Sequence, residues 1–144
     1  MLSVPKHGWV EISLGDWKDR ASYLTNIPHD LLDSFINVLG HPGCPAAVSC
    51  DAEGWEYILV FDWYTSYIIE SKDEEKLYVI DKKLIDLAEE LYSDISNNIV
   101  AWSTWDFNIE SEERRLKEEE LLREKLVKLN CAIEKYKNRF KSKV

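Results

Sequence analysis

Four side chains with metal-binding chemistry fall close together: His41, Cys44, Cys50 and Asp51. Imidazole, thiolate and carboxylate all bind zinc. The spacing H-x2-C-x5-C, however, lacks the paired repeats of structural zinc motifs and leaves a fourth ligand undefined. His41 and Cys44 suit an exposed loop equally well, and Cys50 a buried strand, so no metal or other cofactor is expected. Asp51, Glu53, Glu56 and Asp62 raise a second chemistry, acid–base catalysis by paired carboxylates. That needs a cleft which drives two pKa values apart, whereas these acids fall at turns and on a strand face, where carboxylates are normally solvated. Nucleophilic catalysis has less support still. His7, His29 and His41 all lie in the first third of the chain, none beside a Ser or Cys in a known signature. There is no glycine-rich phosphate cradle, G-x-S-x-G elbow or H-E-x-x-H. No catalytic residue is assigned, and a non-enzymatic protein is expected.

The elements that hold these residues are readable from periodicity. Trp9 to Leu14 alternates, with Val10, Ile12 and Leu14 on one face, and reads as a half-buried strand. Gly15-Asp16 is a turn, and Trp17 to Leu24 returns as a poorer strand. Pro28 opens a helix whose stripe is Leu31, Leu32, Phe35, Ile36 and Leu39, with Gly40 placed for a left-handed cap. "HPGCP" (41–45) is a loop. A meander follows: Ala46 to Cys50, the turn "DAEG", Trp55 to Asp62, Tyr64 to Glu70, the turn "SKDEE", and Leu77 to Ile80. In Trp55 to Asp62 both faces carry apolar residues, which predicts a central strand at least partly covered on both sides. Asp81 is placed as an N-cap for a helix bearing Leu84, Leu87, Ala88, Leu91, Tyr92 and Ile95. Ile99 and Trp102 extend the same spacing, "SNN" (96–98) ends or bends the helix, and Trp102 to Asn108 reads as a connector.

From Ile109 to Phe140 the chain is rich in Glu, Lys, Arg and Leu without Gly or Pro, predicting one long charged helix. Leu122, Leu126, Leu129, Ile133, Tyr136 and Phe140 form a heptad seam, for docking or for oligomerisation. A helix of that length spans ~48 Å, against a radius of gyration near ~14–15 Å for a domain of this size. It must therefore overhang, bend or find another surface. With Leu126, Ile133 and Phe140 at a positions, the flanking positions from 123 on are Arg123, Lys125, Asn130, Ala132, Lys137 and Arg139. None is acidic, so a self-paired coil gains no flanking salt bridges there. Docking on this chain's own body, as a monomer, is favoured over a homodimer paired through the helix. The expected fold class is α+β: an antiparallel meander sheet with helices packed on it and a long charged C-terminal helix.

Composition narrows the function classes. With 45% hydrophobic and 12% aromatic residues the chain has material for a real core. No window is apolar enough to span a membrane, and "MLSVPKHGWV" has no apolar signal core. Three cysteines without framework spacing suit a reducing, cytoplasmic location. The net charge of −9 hides a split. Residues 1–110 carry 7 basic and 20 acidic side chains, a net of −13, whereas residues 111–144 carry 11 and 7, a net of +4. Residues 1–108 are thus an acidic body and 109–144 a basic, heptad-bearing helix. An acidic body repels nucleic-acid phosphates and steers a basic partner.

Two features suggest where that partner binds. Trp63, between Asp62 and Tyr64 at a strand end, reads either as a core residue or as the kind of acid-flanked indole that anchors protein interfaces; the other five tryptophans lean towards the core. "KDEEK" (72–76) is a solvated hairpin tip, but "DAEGWE" brings further acids to a neighbouring end of the same meander. Carboxylates on one rigid edge could mimic the phosphate spacing of nucleic acid and fill a basic cleft.

The segments "ASYLTNIPHDLL", "DAEGWEYILVFDWYTSYII" and "LAEELYSDISNNIVAWSTWD" resemble the small, acidic immunity proteins of bacterial polymorphic-toxin systems, including contact-dependent growth inhibition. The resemblance covers about residues 9–107 and leaves the C-terminal helix as an addition. It implies a cytoplasmic inhibitor that occludes one cognate basic toxin domain, often a nuclease. The residues expected to meet it are Glu53, Glu56, Asp62, Trp63, Asp73, Glu74 and Glu75. Two other binding roles fit the sequence: an acidic inhibitor of a host nuclease carried by a phage or mobile element, and an assembly adaptor acting through the C-terminal helix.

Overall fold

A computed structural model describes residues 1–106 and 109–142 of the chain. Phe107 and Asn108 of the predicted connector, and Lys143 and Val144 at the tail, lie outside the described residues. The architecture is α+β, with six antiparallel strands in two sheets and four helices. Strands β1 (Trp9–Leu14) and β2 (Trp17–Ser22) form a hairpin, closed by the two-residue turn Gly15-Asp16. Gly15 holds φ +61, which a side chain would strain and which matches the twist of the flanking strands. Strands β3 (Ala46–Asp51), β4 (Glu56–Phe61), β5 (Ser66–Ser71) and β6 (Glu75–Ile80) make the meander, in the order β3-β4-β5-β6. Glu75 belongs to β6 rather than to the predicted turn. β5 starts at Ser66 rather than Tyr64, because the Asp62 N–H donates to Ser66 Oγ (3.2 Å) and lengthens the turn.

Helix α1 (Ile27–Gly40) lies on one face of the meander, and the β1–β2 hairpin lies beside it. Val38, not Ile36, completes its buried stripe with Leu31, Leu32, Phe35 and Leu39; Ile36 is half-buried at the border. Gly40 is not a left-handed cap. It stays helical, and His41 with φ −131 ends the helix. Helix α2 (Leu84–Ser96) begins after Lys83, not Asp81, with no side-chain cap. After Asn97-Asn98 the chain re-enters a short helix, α3 (Ile99–Ser103), so the helical spacing does extend to Trp102 and the connector starts beyond it. Trp102 and Trp105 are both buried, their rings 5.3 Å apart.

Helix α4 (Glu112–Lys141) starts at Ser111, whose hydroxyl accepts the Arg114 N–H (3.2 Å), and packs across α1, α2 and α3. Leu122, Leu126, Leu129 and Ile133 are buried in the same core as the sheet and the other helices. Each contributes roughly 1.5–3 kcal/mol by leaving water. The long helix is therefore a wall of this fold. Lys125 reaches Asp33 (2.7 Å) and Lys137 reaches Glu89 (2.5 Å), while His29 bonds Glu118. The two lysine pairs are solvent-screened and His29–Glu118 is more enclosed; exposed pairs of this kind set register more than they hold the helix down.

Candidate protein-binding surface

The register of the meander sorts its side chains into two faces. Val48, Cys50, Tyr57, Leu59, Phe61, Ile68 and Ile80 point inward and are buried. Phe61 packs on Phe35 (4.4 Å between rings) and Tyr57 on Trp17 (5.0 Å). Every helix lies on that side or beyond it. Among the described residues no helix layer covers the opposite face, so the partial cover predicted for β4 on that side comes down to Val60. Ile58 is 37% exposed, Leu77 63% and Val79 64%, and Val60 is shielded yet stands apart from the core cluster.

This outer face is ordered in rows set by strand pairing. Ala47, Val60, Tyr67 and Val79 lie side by side; then Ser49, Ile58, Ile69 and Leu77; then Asp51, Glu56, Ser71 and Glu75. Two rows are largely apolar and the third is acidic. Asp51 and Glu56 stand directly opposite each other, an arrangement that costs stability in a sheet.

The acidic row continues into two hairpin ends. Between β3 and β4, Ala52 bonds Trp55 across the two-residue turn Glu53-Gly54 (3.0 Å). Both turn residues take positive φ, +52 at Glu53 and +141 at Gly54. For glutamate the left-handed region costs roughly 1 kcal/mol. It is held there by the Asp51 carboxylate, which accepts the Glu53 N–H (2.7 Å), while Asp51 is itself fixed through its N–H to Thr25 Oγ1 (2.8 Å). Asp73 and Glu74 project from the β5–β6 turn at the same end. Glu53, Glu56, Asp73, Glu74 and Glu75 are all exposed. The cations at this end are engaged: Lys76 pairs with Glu74 (3.6 Å), Lys72 sits 4.1 Å over the Trp55 ring, and Arg20 lies between Trp9 and Trp55.

Asp62 and Trp63 are not part of this cluster. They sit in the β4–β5 turn, a strand length or ~20 Å away. Trp63 donates its Nε1–H to the Val38 carbonyl and stacks with Tyr136 (4.7 Å) and Phe140 (6.1 Å). Its role in the fold is to receive the end of α4. Beside it a groove of about 1530 Å³ runs between the β4–β5 turn, the start of α2 and the end of α4, lined by Tyr64, Val79, Lys83, Tyr136 and Phe140 among others. Asp62 Oδ1 is buried there with no hydrogen-bond partner among the described residues.

The zinc-like residues are scattered. His41 and Cys44 are in the exposed α1–β3 loop, Cys50 faces the core and Asp51 the outer face. Among the described residues no group of three His, Cys, Asp or Glu side chains is placed to hold a metal. Burial pushes the Cys50 thiol up to about 12, only partly opposed by its contact with Tyr57. The Tyr57 hydroxyl, which donates to the Arg20 carbonyl (2.9 Å), is likewise driven upward by burial. Neither is poised to react near neutral pH. Among the described residues no helix is long and apolar enough to cross a membrane.

The sequence reading missed Ile58, Tyr67, Ile69, Leu77 and Val79 as surface residues. The signal was present in the two-sided apolar pattern of β4, but it reads equally as a covered strand until the helices are placed. No family model, curated protein or solved structure matches this chain.

Proposed function

We propose that this chain is a non-enzymatic inhibitor, an immunity protein that binds a cognate toxin domain with a basic cleft, in the cytoplasm. The observation that carries the reading is the acidic end of the meander. Five exposed carboxylates, Glu53, Glu56, Asp73, Glu74 and Glu75, share one end of a rigid sheet. A strained turn holds one of them in place. Such an edge would pair with the Lys and Arg residues that line a nuclease cleft and bar substrate from it. Because the carboxylates are exposed, they lose little on approach and speed association more than they deepen affinity. The adaptor alternative has less to work with, since the seam of α4 is spent on this chain's own core.

The test is co-expression with the product of the gene immediately upstream. Expected are rescue of growth from that toxin, one-to-one co-purification, and binding that weakens with salt. Glu74→Lys with Glu75→Lys should weaken binding at least tenfold at low salt. Growth that is not rescued, together with failure to co-purify, overturns the proposal.

A further inference from the structure

We infer that the outer face of the meander is the apolar half of the same docking surface, and that it takes an apolar patch bordered by Lys and Arg on a folded partner domain. This rests on the inhibitor reading above, and adds to it what the carboxylates alone do not supply.

Ile58, Tyr67, Ile69, Leu77 and Val79 on this face stand outside the core cluster. Ile58, Ile69 and Leu77 form one row, and Val60, Tyr67 and Val79 the next; Ile58, Leu77 and Val79 are exposed, Tyr67 and Ile69 half-buried, and Val60 shielded. A sheet that meets only water on one side normally alternates apolar with polar residues. Here apolar residues occupy both sides of β4, β5 and β6. Contiguous apolar patches rimmed by charge mark protein-binding sites more often than they mark chance. The rim is one-sided: Asp51, Glu56 and Glu75 border the apolar rows directly, and Glu53, Asp73 and Glu74 extend them. An occupant must therefore carry its cations on one flank of its apolar centre.

Charge and area decide against a second copy of this chain. Each copy carries −9, so self-association brings like charges together. Four strands by three outward positions offer on the order of 400 Å², about half of the ~800 Å² per partner that a specific interface needs. For a basic partner the acidic turns at one end and the groove rim at Val79 and Tyr64 supply the remainder. The same continuity gives Asp62 a place at the far border of the surface, away from the acidic cluster.

The experiment measures binding of the full chain to the upstream-encoded toxin domain, comparing wild type, Leu77→Thr/Val79→Thr, Glu74→Lys/Glu75→Lys and the control Val127→Thr on the exposed side of α4. Threonine keeps the β-branched shape at Val79 and strand propensity at both positions, and urea midpoints verify folding. Hydrogen exchange on the wild-type complex needs no variant and reads protection of β5 and β6 directly. The inference predicts at least tenfold weaker binding for Leu77→Thr/Val79→Thr at both low and high salt, an unchanged control, and protection across β5 and β6. Binding within twofold of wild type for that pair, with loss only in the Glu74/Glu75 variant, overturns the inference and leaves the inhibitor reading standing. No binding by wild type overturns both. A wild-type dimer that Leu77→Thr/Val79→Thr returns to monomer makes the occupant a second copy, and overturns it too.

Discussion

Tyr57 and Ile58 are neighbours in β4, yet they live in different environments. Tyr57 is sealed between Trp17 and the core and bonds the Arg20 carbonyl, whereas Ile58 is open to water. The same division runs along the strand, with Leu59 and Phe61 inward and Glu56 and Val60 outward. Folding explains the apolar inner face, whose residues join one core cluster with α1 and the hairpin, as Phe61 on Phe35 and Tyr57 on Trp17 show. It explains the outer face poorly. Apolar residues such as Leu77 and Val79 remain largely exposed, beside a pair of facing acids that a stability-driven sequence would separate. Residues that folding does not require are the best candidates for what the protein does.

Truncation at Phe61 and Leu77 puts that division to its hardest test. Phe61→Ala removes a ring packed on Phe35 and should cost about 3–5 kcal/mol. Leu77→Ala should change stability by no more than ~0.5 kcal/mol. Urea unfolding of the two variants measures both. A loss of 2 kcal/mol or more at Leu77 would mean that the outer face serves the fold, and the division would collapse.

Cysteine chemistry reports the same boundary. Cys50 and Asp51 are adjacent but face opposite ways, and burial pushes the Cys50 thiol up to about 12. At pH 8 a thiol reagent should modify two cysteines, Cys44 and Cys131, rapidly, and the third only on unfolding. The folded pKa lies above the ordinary 9.0, so the folded chain holds the proton longer than the unfolded one. Stability from this group is fully present below pH 9 and is lost as pH rises from about 9 towards 12. Fast reaction of all three thiols in the folded chain would place Cys50 outside the core.

Much of the fold was legible in the sequence, for physical reasons. β1 was readable to the residue because its alternation is clean, and α2 and α4 because their stripes keep helical spacing over many turns. Helix ends were not. Gly40 and Asp81 fit capping rules, but Asn37 and Lys83 supply the terminal backbone partners. The candidate surface was half legible. Carboxylates near turns announce themselves, so Glu53, Glu56 and Asp73 to Glu75 were found. Which face of a two-sided apolar strand stays open depends on where α1 and α4 lie, and local sequence does not carry that.

Trp63 carries both readings the sequence allowed, core and contact, and its substitution sharpens the contrast between the two ends of the sheet. An indole flanked by acids looks like an anchor for a partner, and here it anchors α4 through Tyr136, Phe140 and the Val38 carbonyl. Trp63→Ala should cost about 2 kcal/mol through lost ring contacts and an orphaned carbonyl. Hydrogen exchange should quicken in the last turns of α4 while the acidic end is unmoved. Unchanged stability would return Trp63 to the list of contact residues.

The smallest effect is the most discriminating, because stability and binding should move in opposite directions. Glu53 holds a left-handed conformation that asparagine adopts more readily. Glu53→Asn should raise stability by about 0.5–1 kcal/mol, read as a higher thermal midpoint. The same change removes one carboxylate from the acidic end, and under the inhibitor reading it slows association with a basic partner severalfold at low salt. A more stable protein that binds less well would mean that strain at this turn is kept for the charge it displays. If stability rises and association is unaffected, Glu53 lies outside the interface, and the acidic contact shrinks to the β5–β6 side, around Asp73, Glu74 and Glu75.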